Sequence, residues 1–220
     1  AGARAERTEP TGRLVVSAPL VFGRMHVAPA FCGLLARYPS VKGELMLADR
    51  MVNLVDEGVD VAVRIGHLAD ASLVVKKVGE TRRVLVASPG YLAERKKPRS
   101  PRDLEGHALI QCTPLAPVPE WRFGEDREAR VAFSPAFVTN SVDAAIGHAE
   151  LGQGITMALA YQVEAAVREG RLVVVLAQHE PPPLPIQLVY ATKRHVSANV
   201  RAFSELVAST CRWQFTRLGG

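Results

Sequence analysis

No stretch of this 220-residue sequence approaches the ~18–20 consecutive apolar residues that a membrane-spanning helix needs. Ala1 to Thr11 is polar and charged, without the apolar core of a secretory signal. Cysteine is scarce: Cys32, Cys112 and Cys211 are odd in number, far apart and without metal-ligand spacing. That excludes a disulfide framework, and inert thiols of this kind favour a reducing, cytoplasmic compartment. The histidines, His26, His67, His107, His148, His179 and His195, form no His-x-x-x-His pair. No Gly-x-Ser-x-Gly elbow occurs, and no Gly-x-Gly-x-x-Gly follows a strand. Gly152-Gln153-Gly154 reads as a helix end, not a phosphate cradle. No metal, cofactor or catalytic residue is therefore expected, and the chain is read as a non-enzyme.

Present instead is an ordinary globular composition, 48% hydrophobic and 22% charged. The formal net charge of +5 invites a nucleic-acid reading. The basic residues are scattered, however. The one short cluster, Arg95, Lys96, Lys97 and Arg99, lies in a Pro-bounded loop and reads as solvated surface.

Periodicity along the chain predicts alternating strands and helices. Leu14 to Ser17 is a buried strand ended by Pro19. Val27, Phe31, Leu34, Leu35 and Tyr38 stand at helical spacing, and Pro39 stops that helix. Val41 to Leu47 alternates with period 2, a short helix is expected from Met51 to Glu57, and Val59 to Ile65 is a third strand. This β-α-β-α-β order points to a mostly parallel sheet with helices on its faces. Further strands are expected at Leu73 to Val78, Arg83 to Ser88, Leu109-Ile110, Trp121 to Phe123, Val131 to Phe133 and Phe137 to Thr139. Ser88-Pro89 and Ser100-Pro101 look like helix starts. Asn140 or Ser141 caps a helix toward Gly152. Ile155 to Ala158, Leu172 to Leu176 and Ile186 to Thr192 are strands, Leu159 to Arg168 is a helix, and a last helix carries Val200, Phe203, Val207 and Cys211. Two α/β lobes are the natural reading.

The segments Ser17-Ala18-Pro19, Ala36-Arg37-Tyr38-Pro39 and Leu54-Val55-Asp56-Glu57-Gly58 come in a telling order. Val59 to Gly66, Val84 to Leu92, Gly152-Gln153-Gly154-Ile155 and Val200-Arg201-Ala202-Phe203 follow them. In this order the chain resembles the effector-binding domain of LysR-type transcriptional regulators, from about Gly12 to Phe215. The resemblance implies a two-lobed, type 2 periplasmic-binding-protein-like fold. Residues 1–11 would be linker, 12–87 plus 193–217 the first lobe and 88–192 the second, with two crossovers near Val86 to Ser88 and Tyr190 to Thr192. It also implies a winged helix-turn-helix ahead of this domain, of which the sequence carries no trace. The implied partners are a small-molecule effector, a homodimer or homotetramer, promoter DNA through that N-terminal domain, and RNA polymerase, with no membrane. In the pairing the resemblance implies, Met25 to Tyr38 and Val41 to Leu47 meet Val142 to Leu151 and Gln162 to Arg168 of a second copy.

Two strand ends have the chemistry to hold an anion. Ser17-Ala18-Pro19 precedes one helix and Thr139-Asn140-Ser141 another, and helix N-termini offer backbone N–H groups and partial positive charge. The resemblance makes both usual effector contacts, in a cleft between lobes. Arg64 ends an apolar strand and could clamp a carboxylate or pair with Asp60 or Asp143. Ile65 and Gly66 follow it, and Gly66 would let the backbone turn toward the ligand. His67 is a candidate donor, Gly154 would allow close ligand approach, and Ile155 would form a wall. A free-standing solute-binding protein of the same fold is the rival reading. An α/β hydrolase or transferase would need a nucleophile or acid–base pair, and none is visible.

Overall fold

The computed structural model of the chain describes residues 8–68, 70–191 and 196–218. In chain order the elements are β1 (Gly12–Ala18), α1 (Leu20–Phe22), a π-helical turn (Gly23–Val27), α2 (Ala28–Arg37), β2 (Val41–Leu47), β3 (Val61–Ile65), β4 (Leu73–Thr81) and β5 (Arg83–Ala87). There follow α3 (Pro89–Glu94), a 3-10 turn (Pro101–Gly106), β6 (Leu109–Cys112), β7 (Glu120–Phe123), β8 (Ala129–Ala132), β9 (Phe137–Thr139), α4 (Val142–Glu150) and β10 (Ile155–Leu159). The last are α5 (Ala160–Arg168), β11 (Val173–Val175), a 3-10 turn (Ala177–His179), β12 (Leu184–Ala191), α6 (Ala198–Thr210) and β13 (Trp213–Phe215).

The chain divides into two compact units, one up to Gly79 plus Pro185–Trp213, the other Glu80–Leu184 plus the chain from Gln214. The first holds a six-stranded sheet in the order β13-β4-β12-β3-β1-β2, whose strands β4 and β13 run on past that unit's limits at Gly79 and Trp213. The second holds a five-stranded sheet, β11-β5-β10-β6-β9, and the small pair β7-β8. Both large sheets are mixed rather than mostly parallel. β1 pairs parallel with β2 and β3, and β6 with β9 and β10, but β12 runs antiparallel to β3 and β5 antiparallel to β10 and β11.

These antiparallel strands also move the expected boundaries. Residues 83–87 pair with β10 and β11, so they belong to the second unit, not the first. Ile186 to Val189 pair with β3, so they belong to the first unit, not the second. The chain therefore passes between units at 79/80, 184/185 and 213/214, three times rather than twice. Thr192 and residues 193–195, assigned above to the second crossover and the first lobe, lie outside the described residues, as do residues 1–7 of the expected linker.

Local chemistry explains other departures. The helix expected over Met51 to Glu57 is instead a run of turns. Asn53 Oδ1 accepts from Asp56 N–H at 3.0 Å, and Glu57 Oε2 accepts from Asn53 N–H at 3.1 Å. Such side-chain bonds offer the backbone an alternative to the helical ladder. Gly58 closes the run at φ +66, the left-handed geometry glycine accepts freely. The first helix begins immediately after Pro19 and runs through a π turn at Gly23–Val27 before α2. Strand β13 was not expected from the sequence. It lies so close to β4 that a Cβ on Gly79 would sit 2.0 Å from Trp213 O.

Candidate functional site

In the first unit, β1 and β3 are parallel neighbours, so their carboxyl ends bring Ser17-Ala18-Pro19 beside Arg64-Ile65-Gly66. Ser17 registers with Ala62, and Arg64 registers with Gln187 of β12. Residues in register, or two apart on a strand, share a face. Ser17, Arg64 and Gln187 therefore share one face of the sheet, with Val15, Ala62 and Val189 of an apolar cluster that includes Val52 and Leu54. Ile65 takes the opposite face.

This face is polar where it should be dry. Ser17 is 1% exposed, and its Oγ is buried with no hydrogen-bond partner among the described residues. The Gln187 Oε1 atom is likewise buried and unpartnered. Arg64 is 9% exposed; its Nη2 donates to Val52 O at 3.0 Å and its Nη1 to Arg50 O at 3.4 Å. Burial pulls its pKa down from the usual arginine value, against the attraction of Glu57. Asp60 is not its partner, because Asp60 Oδ2 accepts from Val15 N–H at 2.8 Å. Two of the five guanidinium donors thus pin the 50–52 backbone, and the charge has no carboxylate in an ion pair among the described residues. At the start of α1, Leu20 N–H is taken by Asp49 Oδ1 at 3.0 Å, so this helix end already carries a carboxylate. Gly66, at φ +112, donates its N–H to Pro185 O at 2.9 Å, and His67 is exposed.

In the second unit, β9 and β10 flank β6. Ser141 is the N-cap of α4, its Oγ accepting from Ala144 N–H at 3.2 Å, while Thr139 Oγ1 accepts from Ser141 N–H at 3.0 Å. Phe137 stacks on His148 of α4 with ring centroids 4.2 Å apart, fixing the helix over its strand. Asn140 is exposed, with no side-chain hydrogen bond among the described residues. The remaining two candidates have other work. A Cβ on Gly154 (φ +146) would stand 2.4 Å from Ala108 O, so the close approach is by backbone, not ligand. Ile155 is 0% exposed, bonds through its N–H to Ala108 O and packs in the core.

Sequence reasoning missed Gln187 and Asp49. The first had a signal: it is the one polar residue within Ile186 to Val189. The second is an exposed loop residue whose role depends on where the loop lies.

Comparison with known proteins identifies the family. Residues 7–212 match the model of the LysR substrate binding domain, and the chain belongs to that family. An uncharacterized HTH-type transcriptional regulator of Haemophilus influenzae is 31% identical over 194 residues, 88% of this chain and 67% of that protein. The HTH-type transcriptional regulator PtxR of Pseudomonas aeruginosa is 32% identical over 198 residues, 90% of this chain and 64% of that protein. The chain thus spans about two thirds of the length of these relatives. The solved regulatory domain of CrgA, a LysR-type transcriptional regulator from Neisseria meningitidis, superposes with a TM-score of 0.78 at 26% identity, covering 90% of this chain and 98% of that one. The fold is accordingly the type 2 periplasmic-binding-protein-like fold of LysR-type regulatory domains. The matched relatives are transcriptional regulators, not enzymes. No helix among the described residues is long and apolar enough to cross a membrane.

Proposed function

We propose that this domain senses a small organic acid and that Ser17, Arg64 and Gln187 of the first unit hold its polar end. The supporting observation is the pair of buried, unpartnered oxygens, Ser17 Oγ and Gln187 Oε1, on the face that carries the Arg64 guanidinium. Leaving a buried polar group unpaired costs about 1–3 kcal/mol. A carboxylate accepting from Ser17 O–H and Arg64, with a neighbouring hydroxyl or amine donating to Gln187, would relieve both. The glycine at 66 and the backbone around Pro19 belong to the same strand ends.

On this reading the ligand favours one arrangement of the domain over another, and only that difference in affinity can drive a response. The response is a change in homodimer or homotetramer geometry, read out at promoter DNA and RNA polymerase in the cytoplasm through a DNA-binding segment of the full regulator. Binding rather than catalysis is the chemistry, because the three polar side chains comprise no nucleophile–base pair.

Thermal-shift screening of small organic acids tests the proposal, since a ligand present at 100 times its Kd stabilises by about 2.7 kcal/mol. A hit should lose roughly tenfold or more in affinity in Ser17→Ala and in Gln187→Leu. An acid that binds saturably with the same Kd in both variants would refute the assignment. Arg64→Ala is the weaker probe, because it also releases the carbonyls of Arg50 and Val52.

A further inference from the structure

The basic loop after α3 reads from sequence as solvated surface, yet its side chains converge on a concave site. Arg95, Lys96, Lys97 and Arg99 line a cavity of about 890 Å³ together with Asp103 and His107. None of the four cations has a carboxylate in an ion pair among the described residues. The one carboxylate in the lining is occupied elsewhere: Asp103 Oδ2 accepts from the backbone N–H groups of Arg99 and Ser100, at 2.8 and 3.0 Å.

The loop is also held in shape. His179 Nε2 lies 3.2 Å from Arg99 O, and Pro98 is buried. The Arg95 guanidinium lies 5.8 Å from the Tyr91 ring centroid, a cation–π contact that orients it. His107 is fixed by its hydrogen bond to Tyr91 Oη at 2.9 Å. Four like charges brought together on a pinned backbone repel one another unless a ligand neutralises them. Arginines that can fork onto oxygen pairs, beside lysines that act as point charges, are the usual equipment for phosphate.

We propose that this cavity binds a small, multiply charged phosphate compound, at a site separate from the Ser17–Arg64–Gln187 face. A phosphate group could also come from a nucleic acid, but the surroundings disfavour a long polyanion. The cations lie on a single stretch of five residues, and the exposed Glu94 and Glu105 adjoin the lining residues Arg95 and Gly106 in the chain, so acidic groups border a short basic run rather than a long one.

Isothermal titration of the chain with inorganic pyrophosphate at low salt tests the proposal. Saturable binding is expected, with affinity reduced roughly tenfold or more in Lys96→Ala/Lys97→Ala/Arg99→Ala. The paired control Lys42→Ala/Lys76→Ala, in the first unit, should change it by less than about twofold. All the substituted side chains are exposed, and unchanged melting temperatures would show that the fold survives. Absence of saturable binding would overturn the site. So would equal loss in both variants, the mark of diffuse charge attraction. Tighter binding of a short random-sequence duplex than of pyrophosphate, through the same three residues, would assign the loop to nucleic acid instead and equally overturn the proposal.

Discussion

Gly154 illustrates how one residue type can serve two quite different ends. A glycine after a helix and before a strand suits a ligand that must approach the backbone closely, and equally suits another piece of backbone. Here the second holds: the missing Cβ makes room for Ala108 O, and φ of +146 is a region that side-chain-bearing residues avoid. Gly154→Ala should therefore destabilise the domain by about 2 kcal/mol or more, since strain and a backbone clash add. Urea denaturation measures it, and a loss below about 0.5 kcal/mol would mean the loop yields easily. Ser17 and Gln187 show the reverse. Their chemistry becomes visible only once pairing sets them on one face around Arg64. Of the candidate residues, those legible in the sequence were the ones whose neighbours are local: Ser141 as N-cap and Gly66 as a turn. Gly154, Ile155 and Asp49 depend on contacts with residues far along the chain, and no local pattern encodes those.

At the scale of elements, the strands and long helices were readable because alternation and 3.6-residue spacing are properties of the segment itself. Strand β13 has only three residues, too few to show a period, and the false helix at Met51 to Glu57 had helical composition but was captured by Asn53 and Glu57 side chains. Helix α3 offers a prediction about how elements are tied together. Tyr91 Oη accepts from Ala108 N–H at 3.0 Å and is hydrogen-bonded to His107 Nδ1 at 2.9 Å, which joins α3 to the approach of β6. Burial lowers the His107 pKa, ahead of the opposing hydrogen bond to the Lys96 backbone. A folded pKa below the unfolded one means the unfolded chain binds the proton first. Stability is then full above the ordinary histidine range, near pH 6.5, and falls as pH drops toward the lower folded value. Urea midpoints at pH 7.5 and 5.5 should show a smaller acid-induced drop in His107→Gln than in the unmodified chain. Equal drops would deny His107 this role.

For the whole molecule, the sequence order yielded two α/β units but misplaced their boundaries, because membership of a sheet is settled by which strand pairs with which. What lies beyond one copy is the remaining question at this scale. Strand β2 ends the six-stranded sheet, so one side of its backbone has no strand partner among the described residues. An edge of seven residues is normally covered or guarded. Lys42 and Glu44 guard it in part, and Glu44 is tied to Arg13 of β1. Beyond them Leu45, Met46 and Leu47 are only half-buried, which leaves apolar surface beside the open edge. We propose that a second copy covers β2 and the neighbouring α2. Sedimentation velocity over a range of concentrations should show a species of twice the 23.8 kDa chain mass. Leu45→Glu should shift that equilibrium toward the monomer, while a charge placed at the exposed Val118, in the second unit and remote from β2 in sequence, should leave it unchanged. A chain that stays monomeric at its highest soluble concentration, or a dimer indifferent to Leu45→Glu, would remove β2 from the interface.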